Sequence, residues 1–167
     1  MKTLWSPWRS KYIDTFSEES IKDKDDCFIC KAIEKTQNDK DGLIVARFDN
    51  VVVLMNKFPY NSGHLLVAPN RHTGDILAMT SDELFALNLA CQKSVKILTE
   101  LYHPDGFNIG ANLGECAGAG LPGHLHYHVL PRWKGDTSFV STLSDTKVIS
   151  YDMETMFNLI HDAFNSK

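Results

Sequence analysis

GHLHYHVLPRW, residues 123–133, sets His124, His126 and His128 at every second position of a run that is otherwise apolar enough for a sheet interior. Successive side chains of a strand point to opposite faces, so the three histidines would share one face and Leu125, Tyr127 and Val129 the other. A rise of ~3.3 Å per residue puts neighbouring histidines ~6.6 Å apart at Cα and the outer pair ~13 Å apart. Two adjacent imidazoles can converge on one metal ion, but three on a straight strand do not. The spacing therefore predicts a division of labour, and it uses three of the seven histidines in the chain.

Outward from this run, residues 115–123, ECAGAGLPG, form a loop of small residues. Gly118, Ala119 and Gly120 would let backbone N–H groups approach an anion closely. GFNIGANLG, 106–114, reads as a strand, and TSDELFALNLACQKSVKILTELYH, 80–103, as the main helix. The helix opens with Thr80 and Glu83 at capping-box spacing and repeats Leu84, Leu87, Cys91, Val95, Leu98 and Leu101 along one face. Three β-branched runs precede it, GLIVARF (42–48), NVVVLMNKF (50–58) and HLLVAP (64–69), the last two joined by the turn-forming PYNSG. At the other end YDMETMFNLIHDAFNSK, 151–167, begins with an Asp cap and aligns Met153, Met156, Phe157, Ile160 and Phe164. The pattern predicts an α+β fold: an antiparallel sheet of about five strands with one long helix and a C-terminal helix.

A chain of 167 residues with 43% hydrophobic and 23% charged positions suits one domain, neither fibrous nor disordered. Its net charge of −4 and scattered lysines and arginines argue against a nucleic-acid duplex as partner, though not against a single nucleotide. No run of ~18 apolar residues suggests a membrane span, and MKTLWSPWRSKYI lacks the apolar centre of a signal peptide, so a cytoplasmic location is expected. Residues 1–26 read as a solvated lead-in. The four cysteines are then expected as thiols. Cys27 and Cys30, in CFIC, have the spacing of the short end of a zinc knuckle, which needs two more ligands. A redox-active pair is the alternative, usually found in a βαβ setting that is not evident here. Cys91 belongs to the apolar helix face, and Cys116 sits in the small-residue loop.

HLHYHVLP, 124–131, resembles the His-φ-His-φ-His-φ-φ signature of the histidine triad (HIT) superfamily of nucleotide hydrolases and transferases. NKFPYNSGHLLVAPNRH (56–72) looks like the family's upstream hairpin, and CFIC like the knuckle of its zinc-bearing members. LWSPWRSKYI (4–13), GANLGECAGAG (110–120) and HLHYHVLPRWKGDTSF (124–139) are most similar to the branch that includes bacterial diadenosine tetraphosphate phosphorylases. The resemblance implies one HIT-like domain over 1–167, with a knuckle-bearing segment at 1–42, a core at 43–133 and a C-terminal extension at 134–167.

It also implies roles. His126 would attack the α-phosphate of a bound nucleotide, giving a nucleotidyl-histidine that water or inorganic phosphate then resolves. A neutral imidazole with an ordinary pKa of ~6.5 suits that attack near neutral pH. The other ring nitrogen of His126 would be fixed by a carbonyl at or near His128. His128 would stabilise charge on phosphate oxygens, and His64 would be a further active-site histidine. Asn112 would help hold phosphates and Asn56 would contact a ribose, unless either is a plain turn residue. Trp133 would either stack on adenine or pack at the strand exit. Zinc would be structural, held by Cys27, Cys30, His72 and His124. Dinucleotide hydrolases of the family usually carry Gln where this chain has Gly120, and the vacated space would favour phosphate as second acceptor. A homodimer is expected. A phosphoramidase, a non-catalytic nucleotide-binding protein, or a catalytic metal on the His-x-His pair are the competing readings.

Overall fold

The computed structural model describes residues 26–35, 38–137, 149 and 151–166. The lead-in reading, apart from Asp26, and the LWSPWRSKYI match lie outside the described residues. Five strands, β1 (Ile44–Arg47), β2 (Val51–Met55), β3 (Leu65–Pro69), β4 (Gly106–Ala111) and β5 (Tyr127–Arg132), form one sheet in the order β1-β2-β3-β5-β4. Every neighbouring pair is antiparallel. The fold is thus the α+β architecture that the pattern predicts. β5 inserts between β3 and the edge strand β4, which places the histidine run near the middle of the sheet.

Both sheet faces are covered, and this explains why β2 and β3 read as unbroken apolar runs rather than alternating ones. Val51, Val53, Met55, Leu65, Val67 and Val129 face a core built with the helices α2 (Ser81–Tyr102) and α3 (Met153–Asn165). Val52, Leu54, Leu66 and Ala68 face a smaller core containing Cys27, Ile29 and Ala32 from α1 (Phe28–Glu34). Full burial of a Val, Leu or Ile side chain contributes ~1.5–3 kcal/mol, so the smaller core gives α1 a real anchor. A bulge in β1, where Ile44 pairs with Leu54 but Ala46 with Val53, turns both Val45 and Ala46 toward the larger core.

The long helix begins as its sequence predicts: Thr80 Oγ1 accepts the Glu83 N–H, and the Glu83 carboxylate accepts the Thr80 N–H. Leu87, Cys91 and Leu98 are buried, with Leu84, Val95 and Leu101 packed at the margin. In α3 the Asp152 carboxylate caps Glu154 and Thr155, and Met156, Phe157, Ile160 and Phe164 are buried. Two features were not legible beforehand. The knuckle region folds as a helical turn, α1, and β5 starts only at Tyr127. The expected strand through all three histidines is therefore corrected. Leu125 N–H leaves the sheet ladder and donates to the Thr73 carbonyl at 2.6 Å, and Pro122, three residues before it, has no N–H to give to a ladder. The alternation of faces survives nonetheless: Leu125 and Val129 are buried in the larger core with Tyr127 against it.

Candidate active site and metal cluster

Cys27 is the N-cap of α1, its Sγ accepting the Cys30 N–H at 3.4 Å, so the two sulfurs stand on one side of the first helical turn. His72 lies just beyond β3, and Gly74 lets that segment press against Pro122, where a Cβ would meet the Pro122 carbonyl. This close approach brings His72 and His124 together, with ring centroids 5.1 Å apart and edge-on. The donor atoms of Cys27, Cys30, His72 and His124 all lie within 4.8 Å of one another. Cys27 Sγ is 3.2 Å from His124 Nδ1, and Cys30 Sγ is 3.3 Å from His72 Nδ1 and 3.5 Å from His124 Nδ1. A tetrahedral zinc with ordinary Zn–S and Zn–N bonds separates sulfur from nitrogen by ~3.5 Å. The donor set and its spacing fit that ion.

His124 is prepared for ligation by its other nitrogen. Its Nε2–H donates to the Pro69 carbonyl at 2.9 Å, which leaves Nδ1 as the lone-pair atom facing the sulfurs. Burial lowers its pKa to about 4, against the opposing pull of the Pro69 carbonyl, so the ring is neutral as a ligand must be.

Two residues further on, His126 is also buried, and its Nδ1–H donates to the His124 carbonyl at 2.8 Å. The fixing carbonyl is therefore that of His124, not one at or near His128 as expected, because the backbone ahead of Tyr127 is bent rather than laddered. Nε2 of His126 has no hydrogen-bond partner among the described residues. Burial holds this imidazole below its ordinary pKa, the His124 carbonyl offsetting part of the effect.

His128 sits in register with Leu66 of β3 and Gly110 of β4. Its ring packs edge-on to His126 at 5.0 Å between centroids and tilted to His64 at 5.1 Å. His64 Nδ1 receives the Tyr60 backbone N–H at 3.2 Å, and His64 Nε2 lies 2.9 Å from His128 Nδ1. A backbone N–H can only donate, so the neutral His64 carries its proton on Nε2 and donates it to His128 Nδ1. His128 in turn carries its proton on Nε2. Burial first, then the neighbouring histidines, lower the pKa of His64 to about 3, and the same causes lower His128 to about 4.

The remaining predicted residues fall in three groups. Asn112 directly follows Ala111, which pairs with Tyr127 next to His126, and its Nδ2 donates to the Gly118 carbonyl at 3.2 Å. The small-residue loop thus stands beside the His126 segment, but it closes on itself. Gly118 N–H donates to Glu115 and Ala119 N–H to Gly114, so of the three expected anion donors only the Gly120 N–H is left without a partner among the described residues. Asn56 bonds to Phe58 and His64. Trp133 is turned to the other side, its indole N–H donating to the Tyr102 carbonyl at the end of α2 at 3.3 Å. Cys91 is buried and Cys116 exposed, as read.

A cleft of about 240 Å³, missed in the sequence, opens on the same sheet face between α1 and β2. Phe28, Ala32 and Leu54 give it apolar walls, with Lys31, Lys35 and Lys57 around them. Leu54 pairs with Leu66, which pairs with His128, so the cleft floor is two strand spacings, about 10 Å, from the histidine site. No motif announces it, because its walls come from three separate segments.

Comparison with known proteins agrees with this geometry. A HIT domain model matches residues 37–135. The AP-4-A phosphorylase of Mycobacterium tuberculosis is 37% identical over 153 residues, covering 89% of this chain and 77% of that protein. The asymmetrical bis(5'-nucleosyl)-tetraphosphatase of Schizosaccharomyces pombe is 33% identical over 84 residues, covering 50% of this chain and 46% of that protein. Among solved structures, a zinc-bound histidine triad family protein from Mycobacterium smegmatis superposes with a TM-score of 0.68 at 25% identity, covering 85% of this chain and 95% of the other. With the triad, the hairpin histidine and the sheet order in place, this chain belongs to the HIT domain family.

Proposed function

We propose that this protein cleaves a dinucleoside polyphosphate of the diadenosine tetraphosphate class through a covalent nucleotidyl-His126 intermediate, with inorganic phosphate as the second acceptor. The observation that carries this reading is the bond from His126 Nδ1–H to the His124 carbonyl. It presents Nε2 as an unshared lone pair with no partner among the described residues. That nitrogen forms a bond to the α-phosphorus as the phosphorus–oxygen bond to the departing nucleotide breaks. His128, holding its proton on Nε2, donates toward the non-bridging oxygens as charge builds there, an interaction that preorganisation makes worth several kcal/mol. The acceptor's oxygen then displaces His126 and frees the nucleotide.

The cleft beside β2 supports the placement of the substrate. Its apolar walls suit a base, its lysines suit phosphates, and its distance from His128 is on the scale of one nucleoside. At Gly120 a Cβ would meet nothing within 4 Å, which leaves room near the loop for a tetrahedral oxyanion rather than a single held water. The likeness to the mycobacterial phosphorylase points the same way. The four-donor cluster would hold zinc with no position left for substrate, and the metal's contribution when bound is a cross-link between α1 and the histidine segment.

Incubating diadenosine tetraphosphate with and without phosphate tests the reading. Phosphorolysis gives ADP plus ATP and requires phosphate; AMP plus ATP in both conditions would make the enzyme a hydrolase. Denaturing mass spectrometry during turnover should show a nucleotidyl adduct on His126.

A further inference from the structure

Asn56 looks like a ribose contact by family resemblance, yet its side chain is committed inside the protein. Its Oδ1 accepts the Phe58 N–H at 3.0 Å. Because that backbone group can only donate, the amide orientation is settled, and Nδ2 is the atom 3.2 Å from His64 Nδ1. Its own backbone N–H donates to the His64 carbonyl at 2.9 Å, closing the hairpin. Three bonds therefore fasten Asn56, two of them to His64. The Tyr60 N–H reaches the same Nδ1 from the other side of the turn.

We propose that Asn56 is a positioning residue that sets the direction of proton donation along the His64–His128 pair, so that His128 presents an N–H to the phosphates. Two donors on Nδ1 hold the His64 proton on Nε2, and His64 then donates to His128 Nδ1 across 2.9 Å. His128 has only Nε2 left for its own proton. A carboxylate at position 56 would reverse this order. It offers an anionic acceptor where the amide offers a donor, and its charge-assisted bond outweighs the neutral Tyr60 N–H that competes for His64 Nδ1, so it draws a proton onto that nitrogen. His64 Nε2 then becomes the acceptor, His128 Nδ1 the donor, and His128 Nε2 a lone pair facing the anionic substrate. The shape of the side chain and its bond to Phe58 are kept throughout, as is its capacity to accept from a ribose hydroxyl.

The inference rests on the phosphate-binding role given to His128 above, and its test separates the two. Imidazole ¹⁵N spectra of the wild-type protein should show both His64 and His128 protonated at Nε2 and bare at Nδ1; a proton on His64 Nδ1 would overturn the proposal whatever the protein catalyses. Asn56→Asp should move the His64 proton to Nδ1 and lower kcat about tenfold, the worth of one well-placed hydrogen bond, with KM near the wild-type value. An unchanged tautomer with raised KM and intact kcat would make Asn56 a ribose contact only. Wild-type protein that turns over no dinucleoside polyphosphate would defeat the functional reading and leave the spectroscopic test standing.

Discussion

Two groups of histidines meet at one end of β5, and they are built on opposite plans. Around Cys27, Cys30, His72 and His124 every donor atom points inward, all within 4.8 Å. Around His64, His126 and His128 the rings stand 5.0 and 5.1 Å apart between centroids, His64 donates to His128, and His126 donates away to a backbone carbonyl. Two cysteines mark the first group, but burial does not separate the histidines of the two, since His64, His124 and His126 are all buried. What distinguishes them is the partner of the second ring nitrogen. Pro69 takes the Nε2–H of His124 and leaves its Nδ1 facing the two sulfurs; the His124 carbonyl takes the Nδ1–H of His126 and leaves its Nε2 without a partner among the described residues. His124 belongs to both groups, with its ring in the first and its carbonyl in the second.

The largest expected effect comes from removing the histidine proposed to attack phosphorus. His126→Ala should lower turnover on the order of 10⁴-fold or more, as loss of a covalent catalyst does, while metal content and thermal midpoint stay those of the wild type. Equal loss of metal would mean that the two groups are one structural unit rather than two.

Cys30→Ala attacks the other side. The variant should lose its metal, measured by elemental analysis, and several kcal/mol of stability, because ligation free energy is folding free energy. Its turnover should also fall while it is still folded, since a free His124 no longer fixes the carbonyl that aims His126. Full activity in folded, metal-free protein would show that the shared residue transmits nothing.

How much of this was visible beforehand follows from where each constraint lives. The five strands, both main helices and the sharing of faces by Leu125 and Val129 are carried by side-chain type and periodicity, β2 and β3 as unbroken apolar runs, which a sequence displays directly. So are the cysteine pair and the triad itself. The carbonyls of Pro69, Thr73 and His124 and the Tyr60 N–H are backbone features, and no residue type encodes them. They nevertheless decide which nitrogen of each histidine is free. Trp133 shows the same limit from the other direction: the resemblance left base stacking and packing at the strand exit both open, and the exit from β5 turns its indole to Tyr102.

Acid stability should carry a smaller signature of the proton chain. The pKa of His64 is lowered to about 3 and that of His128 to about 4, so both stay neutral in the fold where an unfolded chain would titrate at ~6.5. Above pH 6.5 both states are neutral and these rings cost nothing. As pH falls from 6.5 toward 4 the unfolded chain gains protons that the folded one refuses, and stability drops by up to about 1.4 kcal/mol per pH unit for each ring. The slope ends once the folded rings themselves titrate. Denaturant midpoints across that range should show it in wild type and show less of it in His128→Asn; equal slopes would mean that the folded rings are not held neutral.

The smallest effect is expected at Gly120, and it concerns which product forms rather than how fast. The position has no left-handed backbone requirement and open space at Cβ, so Gly120→Gln should fold as the wild type does. A glutamine there brings a carbonyl and an amide into the space assigned to the second acceptor, where they can hold a water and crowd a phosphate. The ratio of AMP to ADP released from diadenosine tetraphosphate in the presence of phosphate should therefore rise, with the His126 adduct still forming. In the mechanism proposed above, the first half of the reaction would depend on the ring nitrogen that His124 aims, and the second on the room beside the loop. A variant that slows both halves equally would show that the two are not separable in this site.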